Sequence, residues 1–311
     1  MSPRATARLA ALALGATLVV APAPALAASA VERAARFLER AQNADGGFGA
    51  VAGASSGPST TAWAAYGLVA AGRDPAQVRR DGGRTLAQAV AADAAATGTQ
   101  TSDLERAVLA LGATGQPVPA DLDARLLERR GADGSFDGQS TLSSFGVLAL
   151  RAGGRAASDP LVTGSAAFVA AQQNDDGGFG FGRRGGRSGT DDTAAAVQAL
   201  VAAGTAPRSA TVRRAARFLV RSQRPDGGFP LVRGATSNAQ STAWAVQALV
   251  AAGRDLAKVR QGRSRTPLGY LRSLQADDGS VRYSRTSSQT PVWVTAQALT
   301  ALARAPLPIG P

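Results

Sequence analysis

Two adjacent carboxylates, Asp191 and Asp192, stand where an Ala-rich helix opens after Gly189-Thr190. Acids at a helix start accept hydrogen bonds from free N–H groups and suit the positive end of the helix dipole, so capping is the first role their position predicts. The alternatives are narrow, because the chain has no Cys and no His. Thiolate nucleophiles, imidazole bases and the ligands that zinc prefers are thereby excluded. Carboxylates alone more often suit Mg²⁺ or Ca²⁺, and nothing in the residues asks for a cofactor. Trp63 and Trp244 occupy the same place in two repeated units, and Trp293 lies close to it in a third. Rings at such places either line an apolar pocket or fill the centre as core. The loop Arg183-Arg184-Gly185-Gly186-Arg187 before Asp191 either grips an anion or is a solvated loop.

The elements that must position these residues are repeated. Val31–Phe48 and Val212–Phe229 share the pattern of a basic amphipathic helix followed by Q-x-x-D-G-G-F, and the same offset aligns Thr60–Asp74 with Ser241–Asp255. A shared offset over two separated blocks means that the whole unit is duplicated. The turn recurs at Gln42, Gln173, Gln223 and Gln275, and at Arg130 with Arg in place of Gln. The gap from Asp45 to Asp133 leaves room for one degenerate unit without the turn, giving six units that begin near Val31, Arg79, Asp121, Leu161, Val212 and Pro267. In each, a first helix is apolar on one face only and a second is apolar nearly all round, so the first is outer and the second inner. Closure buries the faces that an open stack would expose. The expected fold is therefore all-α, an α6-α6 toroid of two concentric rings. The inner ring should hold Thr61–Ala71, Ser102–Gly112, Thr141–Arg151, Asp192–Ala203, Thr242–Ala252 and Val292–Ala303. Gly72, Gly112, Gly153, Gly204 and Gly253 are expected to end inner helices with a left-handed residue.

Residues 1–27 read as a secretory signal: Arg4 and Arg8, an apolar run from Leu9 to Ala21, and Ala25-Leu26-Ala27 as the cleavage site. The expected product is a secreted single toroid domain over residues 28–311, large enough to fold without disulfides. Removing Arg4 and Arg8 takes the formal charge from +12 to +10. No run of bases is interleaved with stacking aromatics, so nucleic acid is not an expected partner; peripheral contact with an anionic envelope surface is.

These turns and helix pairs resemble the repeats shared by squalene cyclases, plant-type diterpene cyclases and protein prenyltransferase β-subunits. The resemblance covers nearly all of the chain after residue 27. In class II terpene cyclases a D-x-D-D-T-A stretch at the mouth of the ring holds the acid that protonates an alkene or epoxide. The matching stretch is Gly189-Thr190-Asp191-Asp192-Thr193-Ala194, so the resemblance puts the acid at Asp191 and its neighbour at Asp192, with Gly189 in place of the first Asp. The prenyltransferase chemistry uses zinc held by Asp, Cys and His, two of which this chain lacks. Squalene cyclases enclose their cavity between two toroids, whereas this sequence has one. The first expectation is accordingly a secreted, non-catalytic protein whose mouth binds an apolar small molecule, an isoprenoid or a peptide, with Trp63, Trp244, Trp293, Arg183 and Arg184 as contacts. An isoprenoid cyclase-like enzyme with Asp191 as general acid is the alternative, and a glycan hydrolase, which needs two placed carboxylates, is a third.

Overall fold

The structure is a computed structural model that describes residues 29–310. The signal assigned to residues 1–27 lies outside them. Six outer helices alternate with six inner ones. The outer set is α1 (Ala30–Ala41), α3 (Leu86–Ala95), α5 (Ala120–Leu127), α7 (Pro160–Ala171), α9 (Ala210–Ser222) and α11 (Pro267–Ser273). The inner set is α2 (Pro58–Ala70), α4 (Thr101–Ala113), α6 (Ser140–Ala152), α8 (Thr190–Ala202), α10 (Ala239–Ala251) and α12 (Pro291–Leu302). Each inner helix packs on the next, and α12 packs on α2, which closes the ring. The paired strands β1 (Phe229–Pro230) and β2 (Ser237–Asn238) form a two-residue ribbon before α10.

Sequence explains the two layers. In α1 the residues Ala34, Ala35, Leu38 and Ala41 are buried while the charged residues keep contact with solvent. In α10 the buried set runs without a break from Ser241 to Leu249, because an inner helix meets neighbours on every side. Small residues let these helices approach closely. A Cβ on Gly67 would stand 2.8 Å from the Ala296 carbonyl oxygen of α12, and one on Gly112 would stand 2.6 Å from the Ala152 carbonyl oxygen of α6.

The turns lock neighbouring units. The Gln223 amide donates to the carbonyl of Gly227 at 3.0 Å in its own turn and to that of Val259 at 3.3 Å in the next unit. Gln42 and Gln173 repeat this with Val78 and Thr211, and Gln275 reaches across the closure to the Ala30 carbonyl at 2.9 Å. These glutamines therefore staple units together. Phe48, Phe179 and Phe229 are fully buried, and their N–H groups donate to Thr61, Thr193 and Thr242 of the inner helices. The second unit lacks the turn, and Arg125 and Arg129 of α5 hold its short link by donating to the carbonyls of Thr97, Gly98 and Thr99.

Two of the expected helix ends are displaced. Gly72, Gly204 and Gly253 have positive φ, but Gly112 lies inside α4 and Gly153 has φ −72°. The left-handed residues there are Gly115 and Gly154. Gly112 is small because of the close approach of α6, a tertiary demand with no local signature.

Candidate functional site

The Phe-to-Thr hydrogen bonds set the inner helices in register. Thr61, Ser143, Thr193, Thr242 and Thr295 are equivalent, each accepting from the backbone of its own turn. Two residues further on stand Trp63, Phe145, Ala195, Trp244 and Gln297; two residues earlier stand Ser59, Thr141, Asp191, Gln240 and Trp293. The two sets are four residues apart, so they share a helix face at successive turns. The later set meets on the axis. Trp63 and Trp244 pack edge to face at 5.5 Å and Phe145 packs on Trp244 at 5.6 Å, although α2, α6 and α10 are not ring neighbours. Tyr66 adds a further edge contact to Trp63 at 5.2 Å.

The tryptophans expected together are thus divided. Trp63 and Trp244 are 7% and 6% exposed and plug the barrel. Trp293 aligns with Asp191 one turn nearer the mouth, and its Nε1 is buried without a partner. The space beside Gly146 is filled by the Phe136 ring, which a Cβ there would meet at 2.3 Å. Phe145, beside it, is the third member of the plug and carried no repeat signal. Below the plug, the C-terminal segment closes the far end: Leu307 N–H donates to Gln198 at 2.8 Å, the Ala305 carbonyl accepts from Gln247 at 2.9 Å, and Leu307 and Ile309 are buried.

Asp191 stands over Ala195, the smallest residue of the plug layer. It lies in the first turn of α8, where its charge suits the helix dipole, but it is not the N-cap. The N-cap of α8 is Gly189, with no side-chain hydrogen bond to the helix end, and the N–H of Thr190 is satisfied at 2.8 Å by the Leu231 carbonyl of the next unit. Ser140 and Ala239, which open α6 and α10, and Val292, the second residue of α12, are served likewise by loop carbonyls. Oδ1 of Asp191 is buried with no hydrogen-bond partner. Burial pushes its pKa up to about 7; the Ser241 hydroxyl opposes this and the Asp192 charge adds to it. Asp192 accepts from the Thr141 hydroxyl at 2.6 Å, and burial raises its pKa as well. A Cβ at residue 189 would lie 2.7 Å from Oδ2 of Asp192, so Gly189 gives that carboxylate its room.

The structure carries Arg183 and Arg184 outward. Arg183 lies 5.6 Å over the Phe168 ring and 3.6 Å from Asp133, and Arg184 pairs with Asp175 at 2.6 Å. Neither is brought to Asp191 by these contacts. Sequence reading also missed Glu105, which is 1% exposed with Oε1 unpartnered. Burial holds its carboxyl well above the ordinary range, Arg106 opposes this, and Asp137 adds to it. The equivalent residues are Ala62, Ser144, Ala194, Ala243 and Ala296, a contrast that the helix register alone reveals. Among the described residues no group of three or more His, Cys, Asp or Glu is placed to hold a metal ion.

A family model of the squalene-hopene cyclase C-terminal domain matches residues 147–288, and one of the prenyltransferase alpha-alpha toroid domain matches residues 7–92. Over 76 residues the chain is 40% identical to drimenyl diphosphate synthase of Streptantibioticus cattleyicolor, a stretch covering 24% of this chain and 14% of that enzyme. Among solved structures, the type II terpene cyclase MstE from Scytonema superposes with TM-score 0.63 at 16% identity, covering 88% of this chain and 96% of that one. A variant of the same cyclase in complex with its substrate geranylgeranyl dihydroxybenzoate gives TM-score 0.60 at 14% identity, over 88% of this chain and 95% of that one. A glycosidase gives TM-score 0.56 at 14% identity, over 89% of this chain and 98% of that one. The single ring covers MstE almost completely.

Proposed function

Because the chain belongs to the α-α toroid superfamily of terpenoid cyclases and protein prenyltransferases, we propose that it is a terpene cyclase-like protein that takes an apolar isoprenoid at the mouth of the inner ring, with Asp191 as proton donor. One observation carries this reading: a carboxyl group with a buried, unpartnered Oδ1 and a pKa near 7 stands at the residue that matches the acid of class II cyclases. Enclosure that keeps the group protonated also weakens competing hydration of the proton it gives up. In the step proposed, the electron pair of a substrate C=C bond takes the Asp191 proton, leaving the carboxylate and a carbocation. An internal alkene closes on that cation, and loss of a proton from the cyclised cation ends the sequence. The rings of Trp63, Phe145 and Trp244, one turn deeper, are suited to stabilise positive charge through their π faces.

The test is to incubate the purified chain with squalene and with linear geranylgeranyl substrates, with and without a diphosphate, and to analyse the products by mass spectrometry. A cyclised product from the parent, absent with folded Asp191→Asn, is the expected result. The plug itself favours a second reading, because Trp63 and Trp244 occupy the axis that a long substrate would need. On that reading the mouth binds an apolar molecule without turnover: isoprenoids raise the melting temperature of both parent and variant, and no product forms.

A further inference from the structure

The second unit departs from the others in a way that leaves room in the wall of the toroid. Only residues 96–100 join α3 to α4, against 42–57 between α1 and α2 and 172–189 between α7 and α8, so the turn that elsewhere buries Phe48, Phe136, Phe179 and Phe229 is missing. The inner helix departs with it. Gly115 and Gly154 follow α4 and α6 with positive φ, and that register puts Leu104 where Thr61, Ser143, Thr193, Thr242 and Thr295 accept from their turns. The same register pairs Ala107 with Gly146, the residue against which the Phe136 ring packs in the third unit.

At that place the second unit has a cavity of about 220 Å³ between α2, α3 and α4. Ala107 lines it, and Ala62, Val90, Ala94 and Ala110, all buried, complete its apolar walls. Asp93, Asp103 and Arg106 add charge to the lining. Arg106 is taken by Asp103 at 2.8 Å. For Asp93, burial raises the pKa first and the Asp45 charge second; the Thr61 hydroxyl opposes both, and no arginine does. Two carboxylates against one guanidinium leave the lining negative. The wall is held in place, because Arg125 donates to the carbonyls of Thr97 and Gly98, which also line the cavity.

We propose that this cavity binds a small arylalkyl ammonium, with its ring in the space that a phenylalanine fills in the third unit and its cationic end toward Asp93. An apolar cavity of about 150 Å³ is enough for benzene, so this one has room for a ring and a short chain. The charge of the lining selects the cation. An ammonium beside Asp93 offsets the cost of enclosing that carboxylate, whereas an anionic ligand adds a third like charge and a hydrocarbon leaves Asp93 uncompensated. Neither Asp191 nor any ring of the axial plug lines the cavity, so the inference stands whether or not the mouth takes an isoprenoid.

Titration of the purified chain with phenethylammonium at about pH 7, where the amine is charged, tests it, with binding followed by the shifts of assigned backbone amides in an NMR spectrum. The amides of Val90, Asp93 and Ala107 should move. Phenethylammonium should bind at least about tenfold more tightly than 3-phenylpropanoate, which reverses the charge, and than butylammonium, which lacks the ring. Asp93→Asn should weaken it by about fivefold or more, the worth of one partly buried ion pair. Ala107→Leu fills the space and should abolish binding without lowering the melting temperature, while Asp191→Asn should leave binding as in the parent. Equal affinity for the anion, unchanged affinity in Asp93→Asn, shifts confined to the axial plug, or no binding by the parent would each overturn the site. If Ala107→Leu does not fold, the ligand series and Asp93→Asn decide the matter.

Discussion

Asp191 and Glu105 each hold a buried carboxyl oxygen that no hydrogen-bond partner reaches. For both, the folded-state pKa is raised, so the folded protein keeps a proton that the unfolded chain has lost above about pH 4. Stability contributed by that proton therefore falls as pH rises, for Asp191 until it ionises near pH 7. Asp191→Asn should leave the melting temperature nearly unchanged at pH 4 and raise it at pH 8, by an amount equivalent to at most a few kcal/mol once residual solvent contact is allowed for. The same carboxyl must be protonated to donate, so cyclisation by the parent should decline as pH rises through about 7. Glu105→Gln makes a separate test, because it removes a buried ionisable group on α4 to which no chemistry is assigned. Thermal unfolding of that variant should show a gain over the parent that grows from pH 4 to pH 8; a gain independent of pH would mean that the glutamate's ionisation is not what costs stability.

At the scale of the element, the turn is the device that matters, and the first glycine of its Asp-Gly-Gly is held there by both backbone and contact. Gly227 has φ +91°, and a Cβ there would lie 2.4 Å from the Arg265 carbonyl oxygen of the next unit. Gly227→Ala must therefore both strain its own backbone and push α11 away, at a cost of about 2–3 kcal/mol. Chemical denaturation should show a lower midpoint for this variant. Gly234 provides the contrast: it has φ +92° but nothing within 4 Å of the added Cβ. Ala there should cost about 1 kcal/mol from backbone strain alone, and equal losses at the two glycines would mean that the contact between units contributes nothing.

For the whole molecule, ring closure brings residues from α2, α6 and α10 to one axis, and their packing makes the barrel solid between the mouth and the C-terminal seal. Trp244 is the centre of that contact. Trp244→Ala should destabilise by about 3–5 kcal/mol through the cavity it leaves. The cavity would be lined by aromatic and aliphatic groups, so small apolar molecules should bind in it and recover part of the melting temperature. If isoprenoid turnover requires the plug to part, the same variant should accept bulkier substrates than the parent; calorimetry with and without an added aromatic compound, followed by product analysis, measures both effects.

Helix number, the outer and inner layers and the closed ring were all legible in the sequence, because periodicity and a shared repeat offset are properties of the chain itself. The inner helices Ser102–Gly112 and Thr242–Ala252 agree with α4 and α10 to within three residues at either end. What a side chain does at its place depended on neighbours from other units. Trp293 looked like a partner of Trp63 until the Thr295 bond set its register one turn away. Asp191 looked like a cap until Gly189 proved to be the N-cap of α8 and the Leu231 carbonyl, from a loop some forty residues on, to take the N–H of Thr190. Gly112 looked like a helix end, yet it is small because Ala152 passes beside it. Each of these was decided by contacts between residues distant in the chain, where packing distance and the availability of a hydrogen-bond partner exist only after the ring has closed.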